Sequence, residues 1–240
     1  MAGPVKTEGI VLRSLRYGEA DRILHLYTHD RGRVGAIAKG VRRARSRFGG
    51  RLEPFSHVAL VLHEGRSDLL TVTGADTIRA HAGLRDHAGT LDSAARACDA
   101  VSRLFETDEP HPEVFHLLGN ELALLESDPA LATHANQLAF RLKLLLAAGL
   151  APHLNACASC GEHDHLSGFS GAAGGVVCSA CEAGAFPLGE EAHRFMVDAI
   201  GQRLADAPQA SERALRQADR AISETVEHHA HLRLRPAVAR

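Results

Sequence analysis

Near residue 83 the spacing of apolar residues changes, and one regular architecture cannot serve both sides of that change. Before it, EGIVLRSLRY (8–17), DRILHLYT (21–28), RVGAIAK (33–39), FSHVALVLHEG (55–65) and DLLTVTGAD (68–76) are short β-branched and apolar runs. They are separated by GEAD, HDRG, a basic stretch and EGRSD, which supply turn residues. After it, SAARACDAVSRLFE (93–106), EVFHLLGNELALLES (113–127) and NQLAFRLKLLLAAG (136–149) place apolar residues three and four apart. Leu138, Leu142 and Leu145 then share one helical stripe, and Gly149 is placed to end it.

Strands followed by helices predict an α+β chain. A small closed barrel suits the first part, because closure removes exposed sheet edges. Both an oligonucleotide-binding barrel (OB-fold) and an SH3-like barrel have five strands, so the count leaves the two open. Helical spacing resumes in EEAHRFMVDAIGQRLAD (190–206) and ERALRQADRAISETVEHH (212–229), after a Gly- and Cys-rich interruption at 155–187. The expected organisation is a barrel domain over 1–80 and a helical domain over 81–154 and 188–240. A metal module over 155–187 is inserted in it.

Within the interruption, Cys157-Ala-Ser-Cys160 and Cys178-Ser-Ala-Cys181 are two C-x-x-C pairs separated by seventeen residues. Each pair turns two thiolates toward one ion, and two pairs complete a tetrahedron. Gly161 and the GAAGG run (171–175) supply turns around such a site. One structural zinc ion is the cofactor this pattern calls for. Four thiolates leave no open coordination position, so the ion organises structure and does not activate water. His163 and His165 lie in the same loop and are the candidates to replace a cysteine. Cys98, on a helical pattern, reads as a buried, inert thiol.

Charge is divided as unevenly as period. The chain carries a formal net charge of -2, yet residues 1–80 hold a surplus of six cations and the remainder a surplus of eight acids. The surplus centres on KGVRRARSRFGGR (39–51), with six cations in thirteen residues and no acid. Lys39, Arg42, Arg43, Arg45, Arg47 and Arg51 form either a solvated loop or a phosphate-binding one. The segment joins two expected barrel strands, where oligonucleotide-binding folds carry recognition loops. Five of the six are arginines, whose planar fork grips phosphate oxygens with paired hydrogen bonds. Phe48 is available to stack on a base. Nothing in the run reads base identity, so binding indifferent to sequence is expected.

Taken in order, these motifs resemble the bacterial RecO recombination mediators. EGIVLRSLRYGEADRILHLYTHDRGRVGAIAKGVRRARSR with EPFSHVALVLHEGRSDLLTVTGAD resembles the family's N-terminal barrel. FRLKLLLAAGLAPHLNACASCG with the second C-x-x-C is similar to its helical and zinc-binding part. The resemblance implies an OB-fold N-terminal domain, a helical domain with a zinc site, and a non-catalytic DNA-repair protein. It implies binding of single- and double-stranded DNA and annealing of complementary strands. It further implies partnership with RecR and with the C-terminal tail of single-stranded-DNA-binding protein, so that RecA loads on coated strands. The positions matching the family's basic loop are Lys39, Arg42, Arg43, Arg45 and Arg47, with Arg31 and Arg33 extending that surface. The matching metal positions are Cys157, Cys160, Cys178 and Cys181. The tail is acidic with an apolar end, and Arg141 and Lys143, on an expected helix edge beside Leu and Phe, are the candidates to hold it. The ending HHAHLRLRPAVAR carries Arg233, Arg235 and Arg240, where the family suggests a basic terminus.

Enzyme signatures are missing. Neither cysteine pair follows a proline, as the nucleobase deaminase signature requires. His63-Glu64 is followed by Gly65-Arg66-Ser67 and makes no H-E-x-x-H. No P-loop or G-x-S-x-G occurs. An RNA-binding zinc protein of the translation apparatus is the alternative that the residues themselves leave open. The start MAGPVKTEGIVLRS shows no secretory signal, and LLLAAGLA (144–151) is far short of the roughly 20 residues of a membrane span. The expected location is cytoplasmic, at the nucleoid when acting.

Overall fold

The computed structural model describes residues 3–43, 45–65 and 69–237. They fall into two compact units, residues 1–129 and 130–240.

The first unit is built on five strands: β1 (Val5–Tyr17), β2 (Asp21–Thr28), β3 (Gly32–Ala38), β4 (His57–His63) and β5 (Leu70–Arg79). They close in the order β1-β2-β3-β5-β4, with β3 and β5 parallel and the other neighbours antiparallel. That order settles what the strand count left open: the barrel is of the OB type. Alternation drives closure. Leu24 and Leu26, then Val34, Ala36 and Ala38, then Val58, Leu60 and Leu62 all point into one core. The segment between β4 and β5 lies partly outside the described residues, at 66–68, and so does the start of the strand expected from 68.

Two helices complete this unit, α1 (Ala88–Leu104) and α2 (Pro112–Ser127), packed against each other. α1 begins five residues before the expected start, because the Thr90 hydroxyl donates to the carbonyls of Leu84 and His87 and winds the chain early. Pro112 opens α2, where its missing N–H is not needed. The loop joining the helices passes the β2–β3 turn, and Arg33 N donates to Thr107 O (2.9 Å). Gly32 lies there at φ 53°, and a Cβ would collide with the Glu109 and Thr107 carbonyl oxygens. Gly32→Ala is therefore expected to lower the unfolding free energy by more than about 2 kcal/mol, read as a shift in the urea midpoint.

The second unit holds α3 (His134–Ala147), α4 (Glu190–Gly201) and α5 (Glu212–His229). Thr133 Oγ1 accepts from Asn136 N and caps α3, while Ser211 Oγ accepts from Ala214 N and caps α5. Leu138, Leu142 and Leu145 are fully buried, and Gly149 follows α3 at φ 69°. α4 stops short of the expected 206. Gln202 is extended, and Leu204–Asp206 forms a separate 3-10 turn. The cysteine-rich stretch contains a small antiparallel sheet that the spacing did not announce: β6 (Leu166–Ser170), β7 (Gly175–Cys178) and β8 (Phe186–Pro187).

Candidate nucleic-acid interface and metal centre

The basic loop leaves β3 and returns to β4, as expected. Its backbone is fixed to the barrel: Gly40 N donates to Asp21 Oδ1 (2.8 Å) and Arg42 N to Ala20 O (2.9 Å). Gly40 and Gly49 take left-handed φ values of 68° and 52°, which glycine adopts without strain. Val41, Phe48 and Leu52 sink into the barrel core beneath it. Phe48 is only 2% exposed, so the expectation that it stacks on a base is corrected. Its work is anchorage: burying one ring under a loop of like charges holds them where they would otherwise spread apart. Arg47 lies 4.8 Å over that ring.

Above these anchors the cations face solvent. Lys39, Arg42, Arg43, Arg45, Arg47 and Arg51 are all exposed. Arg42 Nη1 donates to Glu19 O (3.0 Å), and Arg51 Nη1 to Arg47 O (3.0 Å). Those carbonyl contacts orient the guanidinium groups without neutralising them. Among the described residues, no carboxylate forms an ion pair with any of the six. The field of this loop is therefore available to an external anion.

Arg31 and Arg33 sit elsewhere. They flank the start of β3, whereas the loop leaves its end; six residues of strand separate Arg33 from Lys39 by about 20 Å. Arg31 is exposed. Arg33 donates to Ser102 O (3.3 Å), lies 3.8 Å from Glu106 and contacts His25 Nδ1 at 3.5 Å. Burial, then the charges of Arg33 and Arg13, lower the His25 pKa.

The pair Arg141 and Lys143 requires a correction. Arg141 is 2% exposed, not on an open edge. It pairs with Asp219 (3.4 Å), and its Nη2 donates to Arg235 O (2.5 Å). A guanidinium in the middle of an apolar helix is held by partners far along the chain. Lys143 Nζ donates to Ile200 O (2.8 Å), and burial lowers its pKa. Neither cation stands free to receive an acidic tail. Arg141 is buried but Asp219 is a quarter exposed, so Arg141→Ala is expected to cost about 2 kcal/mol of stability, read by denaturant unfolding. At the C-terminal end, Arg233 pairs with Glu227 (3.1 Å), His229 Nε2 lies 2.8 Å from Gly171 O, and Arg240 lies outside the described residues.

The four cysteines converge. The Sγ atoms of Cys157, Cys160, Cys178 and Cys181 all lie within 4.8 Å of one another, and none is in a disulfide. Cys160 and Cys178 Sγ are 3.7 Å apart. A tetrahedron with bonds of about 2.3 Å has edges of about 3.8 Å, so the set fits a four-thiolate ion. The first knuckle is shaped by Gly161 N donating to Cys157 O (2.8 Å) with Gly161 at φ 80°. The second is shaped by Cys181 N donating to Cys178 O (2.9 Å) at the end of β7. Backbone hydrogen bonding, first from Cys178, holds the Cys157 thiol down to about 6. Hydrogen bonds with Cys160 and then Cys178 push Cys181 up to about 12. Thiols sharing protons so closely are a set that a divalent cation can enter by displacing them. His163 Nδ1 lies 3.1 Å from Asn155 O, and neither it nor His165 joins the cluster. Cys98 is buried and its pKa raised by that burial. Among the described residues no helix is long and apolar enough to cross a membrane.

Comparison with known sequences agrees with this architecture. Residues 1–81 match the family model described as "Recombination protein O N terminal", and residues 90–236 match "Recombination protein O C terminal". The chain is 37% identical over 238 residues to the "DNA repair protein RecO" of Anaeromyxobacter sp. strain K, covering 96% of this chain and 93% of that one. It is 44% identical over 184 residues to the protein of the same name from Rubrobacter xylanophilus, covering 76% and 73% respectively.

Proposed function

The chain belongs to the RecO family of DNA repair proteins, and from that premise we propose that it is a non-catalytic mediator that binds single- and double-stranded DNA without sequence preference and anneals complementary strands. The observation that carries the reading is the loop at 39–51, where six exposed arginine and lysine side chains stand clear of any described acid on a backbone pinned to the barrel.

The mechanism follows from the charge. Two complementary strands repel each other, and a surface that holds both lowers that repulsion while bases find their register. Each phosphate neutralised releases condensed counterions. The DNA-binding set is Lys39, Arg42, Arg43, Arg45, Arg47 and Arg51, with Arg31 and Arg33 as a second patch at the far end of β3. The labour divides among the barrel (1–80), the helices α1 and α2 that belong to its compact unit, the helices of the second unit, and the cysteine module (155–187). Cys157, Cys160, Cys178 and Cys181 hold one structural zinc ion, which supplies cross-linking and no chemistry on DNA. In the cytoplasm, RecR and single-stranded-DNA-binding protein are the partners through which RecA reaches coated strands. The surface that receives the acidic tail lies away from Arg141.

Stopped-flow annealing of two labelled complementary oligonucleotides tests this reading. Purified protein is expected to accelerate duplex formation at low salt and to lose that effect as salt rises. No acceleration at any salt would contradict it, and a preference for structured RNA over single-stranded DNA would favour a role in translation.

A further inference from the structure

The four thiols of the metal centre are unequal in exposure. Cys157 and Cys178 are 3% and 4% exposed and Cys181 is half-buried, whereas Cys160 faces solvent. Its surroundings leave it room. Ser159, Gly161 and Glu162 are exposed as well, and the space where Gly161 would carry a side chain is open. On its inner side, Cys160 Sγ lies 3.7 Å from the Sγ of Cys178 at the end of β7. A solvent-facing sulfur of one knuckle thus sits against a shielded sulfur of the other.

A thiol that binds a divalent cation gives up its proton, so with the ion bound all four sulfurs are thiolates. Thiolate character and exposure together decide which cysteine an oxidant takes first. Cys160 combines the two most fully. Cys98 has neither, since it is 2% exposed within α1 and binds no ion.

We propose that the four-thiolate centre is a peroxide-sensitive clasp, in which Cys160 is the sulfur oxidised first and Cys178 closes a disulfide with it. The proposal rests on the zinc reading. The Cys160 thiolate attacks one oxygen of hydrogen peroxide, the O–O bond breaks, and the departing hydroxide takes a proton to become water. Cys160 is then a sulfenic acid. The Cys178 thiolate attacks that sulfur, the S–O bond breaks, and a second hydroxide leaves and is protonated. Each of the two sulfurs has lost one electron, the peroxide has gained both, and two protons have come from solvent. Cys157 and Cys181 remain as thiolates, and two ligands do not retain an ion that four held.

The consequence reaches beyond the knuckles. His193 Nε2 on α4 lies 2.7 Å from Leu154 O, and His229 Nε2 on α5 lies 2.8 Å from Gly171 O. Gln217 Nε2 donates to Pro187 O (3.0 Å), and Arg220 lies 4.1 Å over the Phe186 ring. These contacts join the cysteine-rich stretch to two helices of its unit. Oxidation that frees the knuckles therefore loosens residues 130–240, while the basic loop keeps its anchors in the barrel.

The test uses the unaltered, zinc-loaded chain, treated with hydrogen peroxide beside an untreated control. A colorimetric chelator follows released zinc, while alkylation and mass spectrometry map the thiols. One zinc is expected to leave for each disulfide formed, that disulfide joining Cys160 to Cys178, with Cys98 still reduced. A dithiol reductant with added zinc should reverse the change. The melting temperature of residues 130–240 should fall by more than about 5 °C, while oligonucleotide affinity stays within about twofold.

Zinc retained under peroxide would overturn the clasp, as would a disulfide that omits Cys160 or pairs it with another partner. A loss of DNA affinity as large as the loss of zinc would overturn its confinement to the second unit. Protein that carries no zinc before treatment would sink the metal reading itself, which keeps the two failures distinct.

Discussion

Replacing Arg42, Arg43, Arg45 and Arg47 together by alanine is expected to weaken single-stranded DNA binding by two to three orders of magnitude at about 0.1 M salt. Counterion release sets the scale. If about four phosphates are engaged, each contributing about 0.7 to the log–log slope, their share of the affinity at that salt is close to 10³-fold. Folding should survive, because all four side chains are exposed and the loop is held by Val41, Phe48 and Leu52, which the variant retains. Fluorescence anisotropy with a labelled oligonucleotide measures the affinity, and circular dichroism with thermal melting controls for the fold. A loss below about threefold would move the DNA site off this loop.

The second large effect concerns the four thiolates. Cys178→Ser is expected to abolish stoichiometric zinc and to lower the melting temperature of residues 130–240 by more than about 10 °C, because metal-binding energy is folding energy. Chelation of the unaltered protein should act likewise. The cluster has little apolar core of its own beyond Val177 and its neighbours, so few other contacts hold the knuckles together. Acidification should release the metal, since each ligand must be deprotonated to bind. The pinned loop draws its anchors from the barrel, so DNA affinity should change far less than the melting temperature. Metal analysis that finds no zinc in protein purified without chelator would contradict the assignment.

Much of this was readable in the residues, for identifiable reasons. The five strands were visible because β-branched runs alternate with turn residues. The spacing bounds α5 at both ends, because Ser211 caps it and the apolar period is unbroken to His229. The spacing overruns α4 because Leu204 continues it after Gly201 has ended the helix. The small sheet was hidden because strands of two to five residues carry almost no periodic signal.

The site was legible in type more than in position. Four cysteines announced a metal centre because C-x-x-C spacing is local geometry. Six cations without an intervening acid suggest an anion site, and the structure leaves all six exposed. Burial was not legible. Phe48 looked free inside a charged run, yet a loop that crosses a barrel needs an apolar foot. Arg141 looked exposed, yet its partners Asp219 and Arg235 are more than seventy residues away in sequence.

If this chain holds DNA through phosphate contacts made by its barrel, added salt must weaken the complex. The most direct test is the salt dependence of single-stranded DNA affinity for the intact protein. A log–log slope near about −3, nearly lost in the four-arginine variant, is the result that phosphate contacts require. A flat dependence, or a slope unaltered by removing those arginines, would contradict it.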